Sequence, residues 1–367
     1  MNADQVKEFA LVRERFVRFA EADGRDDPLY VALATTIAQD DALLALLLEA
    51  SPVQRLPVLL FACIHDCLLE CADHPLAAYY ASCGGTRAPD ARLPDCLRDF
   101  VRHRREPLLA LLRSRATQTN EIGRAAVLWA ALQQLAGIMG QRELALLDFG
   151  CSAGLNLGVD DVHVADGAGG YGAADDGRRP CLALQWRGAR PAIVAEPARW
   201  RLAARVGADL APIDPSDTAQ ARWLQACLWP GDAARRERLQ RALAQAAARR
   251  DVLLRGQDAL ALLAAQPLPG EALPVLFNAW VLQYLGDAAW QRHNEAARAL
   301  VIERGWAWIS AEPLARSPLR AAPARPAGEP PGSATLWSLH WRNAQGALCE
   351  QALAWSHPHG RWAQWLA

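Results

Sequence analysis

Residues 144–156 read Leu-Ala-Leu-Leu-Asp-Phe-Gly-Cys-Ser-Ala-Gly-Leu-Asn. The apolar start of this stretch predicts a buried β-strand that ends near the acidic Asp148 and is followed by Gly150, Gly154 and the start of a helix. Glycine lets a backbone approach a ligand closely, and a helix N-terminus presents free N–H groups. Since a strand, a tight glycine turn and a helix form the nucleotide-binding element of doubly wound sheets, the stretch predicts a cofactor site in an α/β fold.

The same residues contain a Gly-x-Ser-x-Gly pattern, which is also the pattern of a hydrolase nucleophile elbow. In that interpretation Ser152 is the nucleophile, and Asp287 with His357 or His359 completes a catalytic triad. An α/β-hydrolase places several strands ahead of its elbow, whereas the residues before 144 have a helical pattern. The cofactor interpretation is therefore favoured, with Ser152 lining the ligand-facing turn, and the hydrolase is the alternative.

Composition excludes several classes of partner. The net charge of the 367-residue chain is -1, and Lys7 is the single lysine among 39 lysines and arginines. Nucleic acid binding usually leaves a clustered positive patch, so we expect no nucleic acid partner. The N-terminus lacks the apolar segment of a signal peptide, and no run approaches the roughly 20 apolar residues of a membrane span. We expect a cytoplasmic protein without a membrane partner, and a small molecule as its substrate.

Nine cysteines without a small-domain framework fit reduced thiols better than disulfides. Cys63, Cys67 and Cys71 are spaced by four residues, which places them on one stripe of an apolar helix. Zinc sites favour short Cys pairs brought together from two loops, and the sequence offers no second pair. The sequence therefore predicts a core stripe here and no metal site.

Helical patterns dominate up to about residue 141, and strand patterns begin at residue 144. We therefore predict a helical N-terminal domain, residues 1–141, that serves as a lid or substrate domain, and a Rossmann-like domain, residues 142–367. Before the apolar helix at 125–138, Thr119 or Asn120 is predicted as the N-cap, with Glu121 in the first turn.

The second domain alternates short strands with helices, which predicts a mainly parallel sheet. Residues 166–180 are predicted to be a mobile surface loop and 314–333 an extended loop. Two alternating runs near the C-terminus predict a hairpin. Five parallel strands with a terminal antiparallel hairpin resemble the layout of class I S-adenosylmethionine-dependent methyltransferases. The strands are predicted at 144–149, 203–207, 252–255, 274–278 and 307–310, the long helix at 287–304, and the hairpin at 336–341 and 348–355.

Recurring pieces of the sequence resemble a bacterial family known as domain of unknown function 2332. They are Thr-Asn-Glu-Ile-Gly-Arg at 119–124, Gly-Cys-Ser-Ala-Gly-Leu-Asn-Leu at 150–157, and the segments 205–214, 223–230 and 357–360. The resemblance covers nearly the whole chain, and it implies kinship without an activity. Members often carry histidine at the position of Asn278, which is a departure in this chain.

The methyltransferase-like layout predicts a site for S-adenosylmethionine and methyl transfer to a small molecule. Asp209, after the second strand, would bind the ribose hydroxyls, and Asp258, after the third, the adenine amino group. Helix capping is the alternative explanation for both carboxylates. The residues predicted to bind the cofactor are Asp148, Gly150, Ser152, Gly154, Asn156, Asp209 and Asp258.

For catalysis the sequence favours Asn278, at the end of the fourth strand, and Glu121. Further candidates for a proton-transfer role are His65, Tyr284 and Glu312. A general base is optional in methyl transfer, because the leaving sulfonium is already activated. A cofactor-binding module without turnover is a further alternative, since a fold does not fix a function.

Overall fold

The computed structural model describes residues 3–118, 120–249 and 251–367. The α-helices in this part of the chain are α1 (Ala3–Arg18), α2 (Pro28–Ala38), α3 (Asp41–Leu47), α4 (Pro57–Glu70), α5 (Leu93–His103), α6 (Arg105–Ser114), α7 (Ala125–Met139), α8 (Thr218–Ala226), α9 (Ala233–Ala248), α10 (Ala259–Ala264) and α11 (Asp287–Arg304). The β-strands are β1 (Glu143–Phe149), β2 (His163–Ala165), β3 (Tyr171–Gly172), β4 (Cys181–Ala183), β5 (Gln185–Trp186), β6 (Arg201–Asp209), β7 (Val252–Arg255), β8 (Leu273–Ala279), β9 (Ala307–Pro313), β10 (Thr335–Arg342), β11 (Leu348–Ser356) and β12 (Trp362–Trp365).

The chain divides into two compact units. The first, the helical unit, comprises Met1–Thr119 and Asp217–Glu237. The second, the sheet unit, comprises Asn120–Ser216 and Arg238–Ala367. The sequence pattern of helices ahead of a sheet is therefore present, and the α/β class is confirmed.

The helical unit is held by capped helices around an apolar core. The carboxylate of Asp40 accepts hydrogen bonds from the backbone N–H groups of Ala42 and Leu43 and caps α3. Cys63 and Cys67 lie on the buried face of α4, as the predicted core stripe requires, whereas Cys71 follows the end of the helix and is half-buried. His65 is also buried there, between Ser82 Oγ and the carbonyl oxygen of Ala226, and burial lowers its pKa to about 4.

The main sheet belongs to the sheet unit. Within the described residues its nine strands follow the order β5-β12-β11-β10-β9-β8-β1-β6-β7. Strands β7, β6, β1, β8 and β9 are parallel neighbours, and β9 to β12 pair in antiparallel fashion. Numbered among themselves, the five parallel strands have the order 3-2-1-4-5 of doubly wound folds, which reverses between β1 and β8.

The predicted strands and the C-terminal hairpin are present, although several strands are longer than predicted. Strand β9 continues to Pro313, so Glu312 lies inside the strand and not after it. After Gly154 the chain forms a 3-10 helix, Leu155–Asp161, instead of the predicted α-helix. The segment 166–180 is not a plain loop, because it contributes β3 to a second sheet of order β3-β2-β4. Strands of two or three residues are too short to leave a periodic pattern in the sequence.

Helix α7 is a long, strongly apolar helix of the sheet unit. Together with the 3-10 turn before it, the segment Ile122–Met139 is long and apolar enough to span a membrane, and 78% of it is buried inside the protein. Its N-cap differs from the prediction. Glu121 itself caps the 3-10 turn by accepting a hydrogen bond from Gly123 N, and Asn120 bonds elsewhere. Thr119 lies outside the described residues.

Candidate functional site

The candidate site lies at the carboxyl ends of β1 and β8, where the strand order reverses. Ligands of open α/β sheets bind in the crevice outside this point. Asp148 and Phe149 of β1 are register partners of Phe277 and Asn278 of β8. The residues that follow β1 form the glycine turn, residues 150–154.

Two glycines with positive backbone φ angles shape the glycine turn. Gly150 has φ 77° and Gly154 has φ 65°. A Cβ atom on Gly150 would lie 2.4 Å from Val281 Cγ2, and one on Gly154 would lie 3.0 Å from Leu253 Cδ2. The positive φ angles favour glycine at both positions, and the close contact at Gly150 adds to this preference, before any ligand is considered.

Ser152 is held inside this turn from two sides. Its backbone has φ 50°, which is uncommon for a residue with a side chain. Its N–H donates to Asp209 Oδ2 over 2.9 Å, and its Oγ accepts a hydrogen bond from Asn120 Nδ2. Asn156, two residues past the turn, has a buried Oδ1 without a hydrogen-bond partner in the described part of the chain.

Asp209 and Asp258, at the ends of β6 and β7, bind backbone N–H groups. Asp209 accepts from Ser152 through Oδ2 and from Ala211 N through Oδ1, both at 2.9 Å. Asp258 is exposed and accepts from Ala261 N at 3.0 Å, which makes it the N-cap of α10. The structure thus gives each carboxylate a structural role of the kind that the capping alternative predicted.

Asp148 has a different environment. Its side chain is 2% exposed, and its Oδ2 has no hydrogen-bond partner among the residues that the structure describes. Burial raises the pKa of Asp148 to about 7, the charge of Asp209 raises it further, and Arg124 opposes the shift. The strand that the sequence identified first therefore ends in a buried carboxyl group, one oxygen of which has no hydrogen-bond partner among the described residues.

Glu312 of β9 is a second buried carboxyl group of this kind. Its Oε1 accepts hydrogen bonds from Asn278 Nδ2 at 2.8 Å and from the backbone N–H groups of Val281 and Leu282 at 3.0 and 3.2 Å. Its Oε2 is buried and has no partner within the described residues. Burial raises the pKa of Glu312 to about 7, although these hydrogen bonds and the charge of Arg124 oppose the shift.

Asn278, the favoured catalytic residue in the sequence, is fully buried at the end of β8. Its Nδ2 donates to Ser310 Oγ and to Glu312 Oε1, and its Oδ1 accepts from Trp308 Nε1 at 2.7 Å. Both amide protons are therefore used within the protein, and Asn278 orients Glu312. The sequence placed Glu312 only among further candidates, because the end of β9 was predicted two residues before it.

Glu121 lies in a junction between two distant segments, residues 121–124 and 357–360. Its Oε2 is 3.3 Å from His359 Nδ1. Arg124 is buried and donates from Nε to the carbonyl oxygen of Pro358 at 3.0 Å. A Cβ on Gly123 would lie 2.5 Å from the carbonyl oxygen of His359, so the two segments touch through their backbones. Arg124, whose charge acts on both buried carboxyl groups, was missed by the sequence analysis.

The other candidates lie in less enclosed surroundings. The side chain of Tyr284 is 72% exposed. Asp287, the acid of the hydrolase alternative, is exposed at the start of α11 and pairs with Arg316 at 2.8 Å. Burial lowers the pKa of His357 to about 4, and its Nδ1 accepts a hydrogen bond from His359 N.

A cavity of about 430 Å³ opens beside the glycine turn, a volume within the range of small-molecule sites. Ala153, Asp214 and Arg249 contribute to its lining. A wider cavity of about 930 Å³ lies at the amino ends of β1 and β6, near Arg142 and Arg201. The smaller cavity is the one that adjoins the turn after β1.

Comparison with known proteins gives one match. The model of a family described as "Uncharacterized protein conserved in bacteria (DUF2332)" matches residues 13–365. That range includes the five motifs that carried the resemblance. No curated protein matches the chain.

Proposed function

The chain belongs to this bacterial family, and we propose that its sheet unit binds S-adenosylmethionine and transfers the methyl group to a small molecule. One observation carries the proposal: Asp148 Oδ2 is buried, has no partner among the residues that the structure describes, and lies two positions before the glycine turn, at the reversal of the strand order. A buried carboxylate without a partner is unfavourable. A ligand that brings a cationic group to this position removes that penalty.

The donor set of the site fits such a ligand. Asp148 would pair with the ammonium group of the methionine part, and Gly150, Ser152 and Gly154 shape the turn around it. Asn156 has a buried oxygen that can accept a hydrogen bond. The bound cofactor would supply a methyl group on an already activated sulfonium.

The nucleoside part of the cofactor would be held at the neighbouring strand ends. Each carboxylate oxygen of Asp209 accepts one backbone hydrogen bond and has a second lone pair for a ribose hydroxyl. Asp258, which is exposed beyond β7, would accept from the adenine amino group. These contacts extend the binding site from β1 across β6 to β7.

Proton transfer would fall to Glu312. A general base works best when its pKa is near the working pH, and the pKa of Glu312 is about 7. Oε2 would take the proton of an acceptor hydroxyl or amine, while Asn278 and two backbone N–H groups hold Oε1 in place. Glu121, beside His359, is the second candidate for this role. Positioning of the acceptor would supply much of the rate, since correct orientation alone is worth roughly 7–11 kcal/mol.

Binding of the cofactor is the first test. Calorimetry and thermal shift with S-adenosylmethionine and S-adenosylhomocysteine should give a dissociation constant for the wild-type chain. Because binding requires the ionised carboxylate of Asp148, affinity should be constant above about pH 7 and fall up to about tenfold per pH unit below it. Asp148→Asn should weaken binding and abolish this pH dependence.

A matched control is Glu143→Gln, which changes a half-buried carboxylate at the opposite end of β1 from the turn. It should leave the pH dependence of binding intact. Absence of any thermal shift of the wild-type chain at millimolar cofactor would overturn the proposal. If the cofactor binds but no acceptor in a broad panel is methylated, the chain is a binding module without turnover.

The hydrolase remains the second candidate because of the positive φ of Ser152, since a nucleophile elbow holds its serine in a strained turn. Its Oγ accepts from Asn120, and Asp287 pairs with Arg316. Hydrolysis of activated esters that is lost in Ser152→Ala would support this candidate. The methyltransferase proposal expects no such activity.

A further inference from the structure

A cluster of three potential metal ligands lies in the small sheet β3-β2-β4, outside the site described above. It consists of His163 on β2, Cys181 on β4 and Asp175 in the loop between β3 and β4. One ligand atom of each residue lies within 4.8 Å of the others. We propose that these three side chains bind one zinc-class metal ion, although the sequence alone predicted no metal site.

The hydrogen bond of His163 prepares it for this role. Its Nδ1 lies 3.0 Å from the carbonyl oxygen of Ala173. A carbonyl oxygen only accepts, so Nδ1 carries the proton and Nε2 keeps its lone pair. Metal-binding histidines are usually oriented in this way, by donating the other ring N–H to a carbonyl or carboxylate.

The fold places the other two ligands beside His163. His163 and Cys181 are register partners on neighbouring parallel strands, and His163 N also donates to the carbonyl oxygen of Pro180 at 3.0 Å. Asp175 Oδ1 accepts from Gly177 N at 2.9 Å, and the other oxygen can bind an ion. Donor atoms of a tetrahedral zinc site lie roughly 3.5 Å apart, so the cluster needs to contract by about 1 Å.

The donor set determines the class of ion. A thiolate and an imidazole favour zinc and similar transition metals over magnesium or calcium, which prefer oxygen ligands. Three protein ligands leave the fourth position of the ion for water or another small ligand. The thiol of Cys181 would lose its proton on binding, so each bound ion releases one proton.

A second cluster in the helical unit consists of His74, Asp99 and His103. The hydrogen bonds of His74 prevent it from acting as a metal ligand there. His74 Nδ1 accepts from Leu76 N, so the proton of the neutral ring is on Nε2, which donates to Asp99 Oδ2 at 3.1 Å. Neither ring nitrogen of His74 therefore has a spare lone pair. This cluster serves as the internal control.

The test uses the full-length chain after removal of metal with a chelator. Titration with Zn²⁺ by calorimetry should show one tight site, and Co²⁺ should produce the thiolate-to-cobalt charge-transfer absorption. Cys181→Ser and His163→Gln should each weaken Zn²⁺ binding by about 100-fold or more. Loss of a direct ligand should cost at least as much as loss of a residue that only orients a ligand, which weakens metal binding by about 10- to 100-fold. Cys349→Ser and His103→Gln should bind Zn²⁺ as the wild-type chain does.

Two outcomes would overturn the proposal. One is the absence of stoichiometric Zn²⁺ binding by the wild-type chain. The other is binding that His103→Gln abolishes and Cys181→Ser retains. Metal-free circular dichroism melts check that each variant folds. Asp175→Asn, which changes an exposed loop residue, replaces Cys181→Ser if that variant does not fold and should also weaken binding.

Discussion

Two pairs of acids lie near the ends of strands in the same sheet and differ in burial: Asp209 and Asp258 at the β6–β7 edge are half-buried or exposed, whereas Asp148 on β1 and Glu312 on β9 are buried. Asp209 and Asp258 accept hydrogen bonds from backbone N–H groups. Asp148 and Glu312 are buried, and each has one carboxyl oxygen without a partner in the described residues. The first pair stabilises local structure. The second pair destabilises the fold when charged, and a ligand that pairs with these groups would remove that penalty.

The largest expected effect of this difference is on Asp148→Asn. The pKa of Asp148 is about 7 in the folded chain and about 3.9 in an unfolded one. Between these values the folded state holds a proton that the unfolded state has lost, so the free energy of unfolding falls as pH rises. Above about pH 7 the full penalty applies, on the order of 4 kcal/mol. The variant should therefore be more stable than the wild-type chain by up to about this amount at pH 8.

Urea unfolding at about pH 4, 6 and 8 measures this gain, which should shrink toward zero at the lowest pH. Asn can leave an amide group without partners, at a cost of about 1–3 kcal/mol, so the pH dependence is the sharper readout. A variant whose stability follows the wild-type chain in parallel across this range would contradict the buried, unpartnered state of Asp148.

Glu312→Gln should have a slightly smaller effect of the same sign. Its pKa is raised from 4.5 to about 7, which corresponds to roughly 3 kcal/mol at pH 8. Glutamine keeps an oxygen that can accept from Asn278 and the two backbone N–H groups. The control is Glu143→Gln, which changes a half-buried acid at the amino end of β1. Chemical unfolding compares the stability changes of the two variants. The control should change stability by less than about 0.5 kcal/mol.

The sequence identified the strand ends but not the surroundings of the acids. An apolar run that ends in an acid is a local signal, so Asp148, Asp209 and Asp258 could all be named. Whether an acid is hydrogen-bonded to a backbone N–H group depends on residues that are distant in the sequence. The donor to Asp209 is Ser152 N, 57 residues away.

Strand length and contacts between distant segments could also not be predicted from the sequence. Pairing with β10 extends β9 past Ser310 and encloses Glu312. The bond from Arg124 to Pro358 joins residues 234 apart, which no local pattern encodes. Strands β2 and β3 of the small sheet were missed because they are held by pairing and not by periodicity.

Asp209→Asn should act in the opposite direction to Asp148→Asn. The substitution places an amide nitrogen against one of two backbone N–H donors, so at least one charge-assisted hydrogen bond is lost. Such bonds are worth about 1.5–3 kcal/mol each, and the variant should be destabilised by about that much at neutral pH. Unfolding measured beside Asp148→Asn tests the sign directly. A stabilised Asp209→Asn would remove the distinction between the two pairs.

Asp258→Ala should have the smallest effect, because this acid is exposed and caps only the short helix α10. Loss of an N-cap costs about 0.5–2 kcal/mol, and thermal unfolding measures it. Cofactor affinity separates the two roles of Asp258. If the carboxylate only caps α10, stability falls and the dissociation constant for S-adenosylhomocysteine is unchanged. If it also binds the adenine amino group, affinity falls as well, while Asp217→Ala, which removes the cap of α8, lowers stability alone. The second result would show that a carboxylate bonded to backbone N–H can still serve a ligand, and that burial without a partner is not necessary for a role in this site.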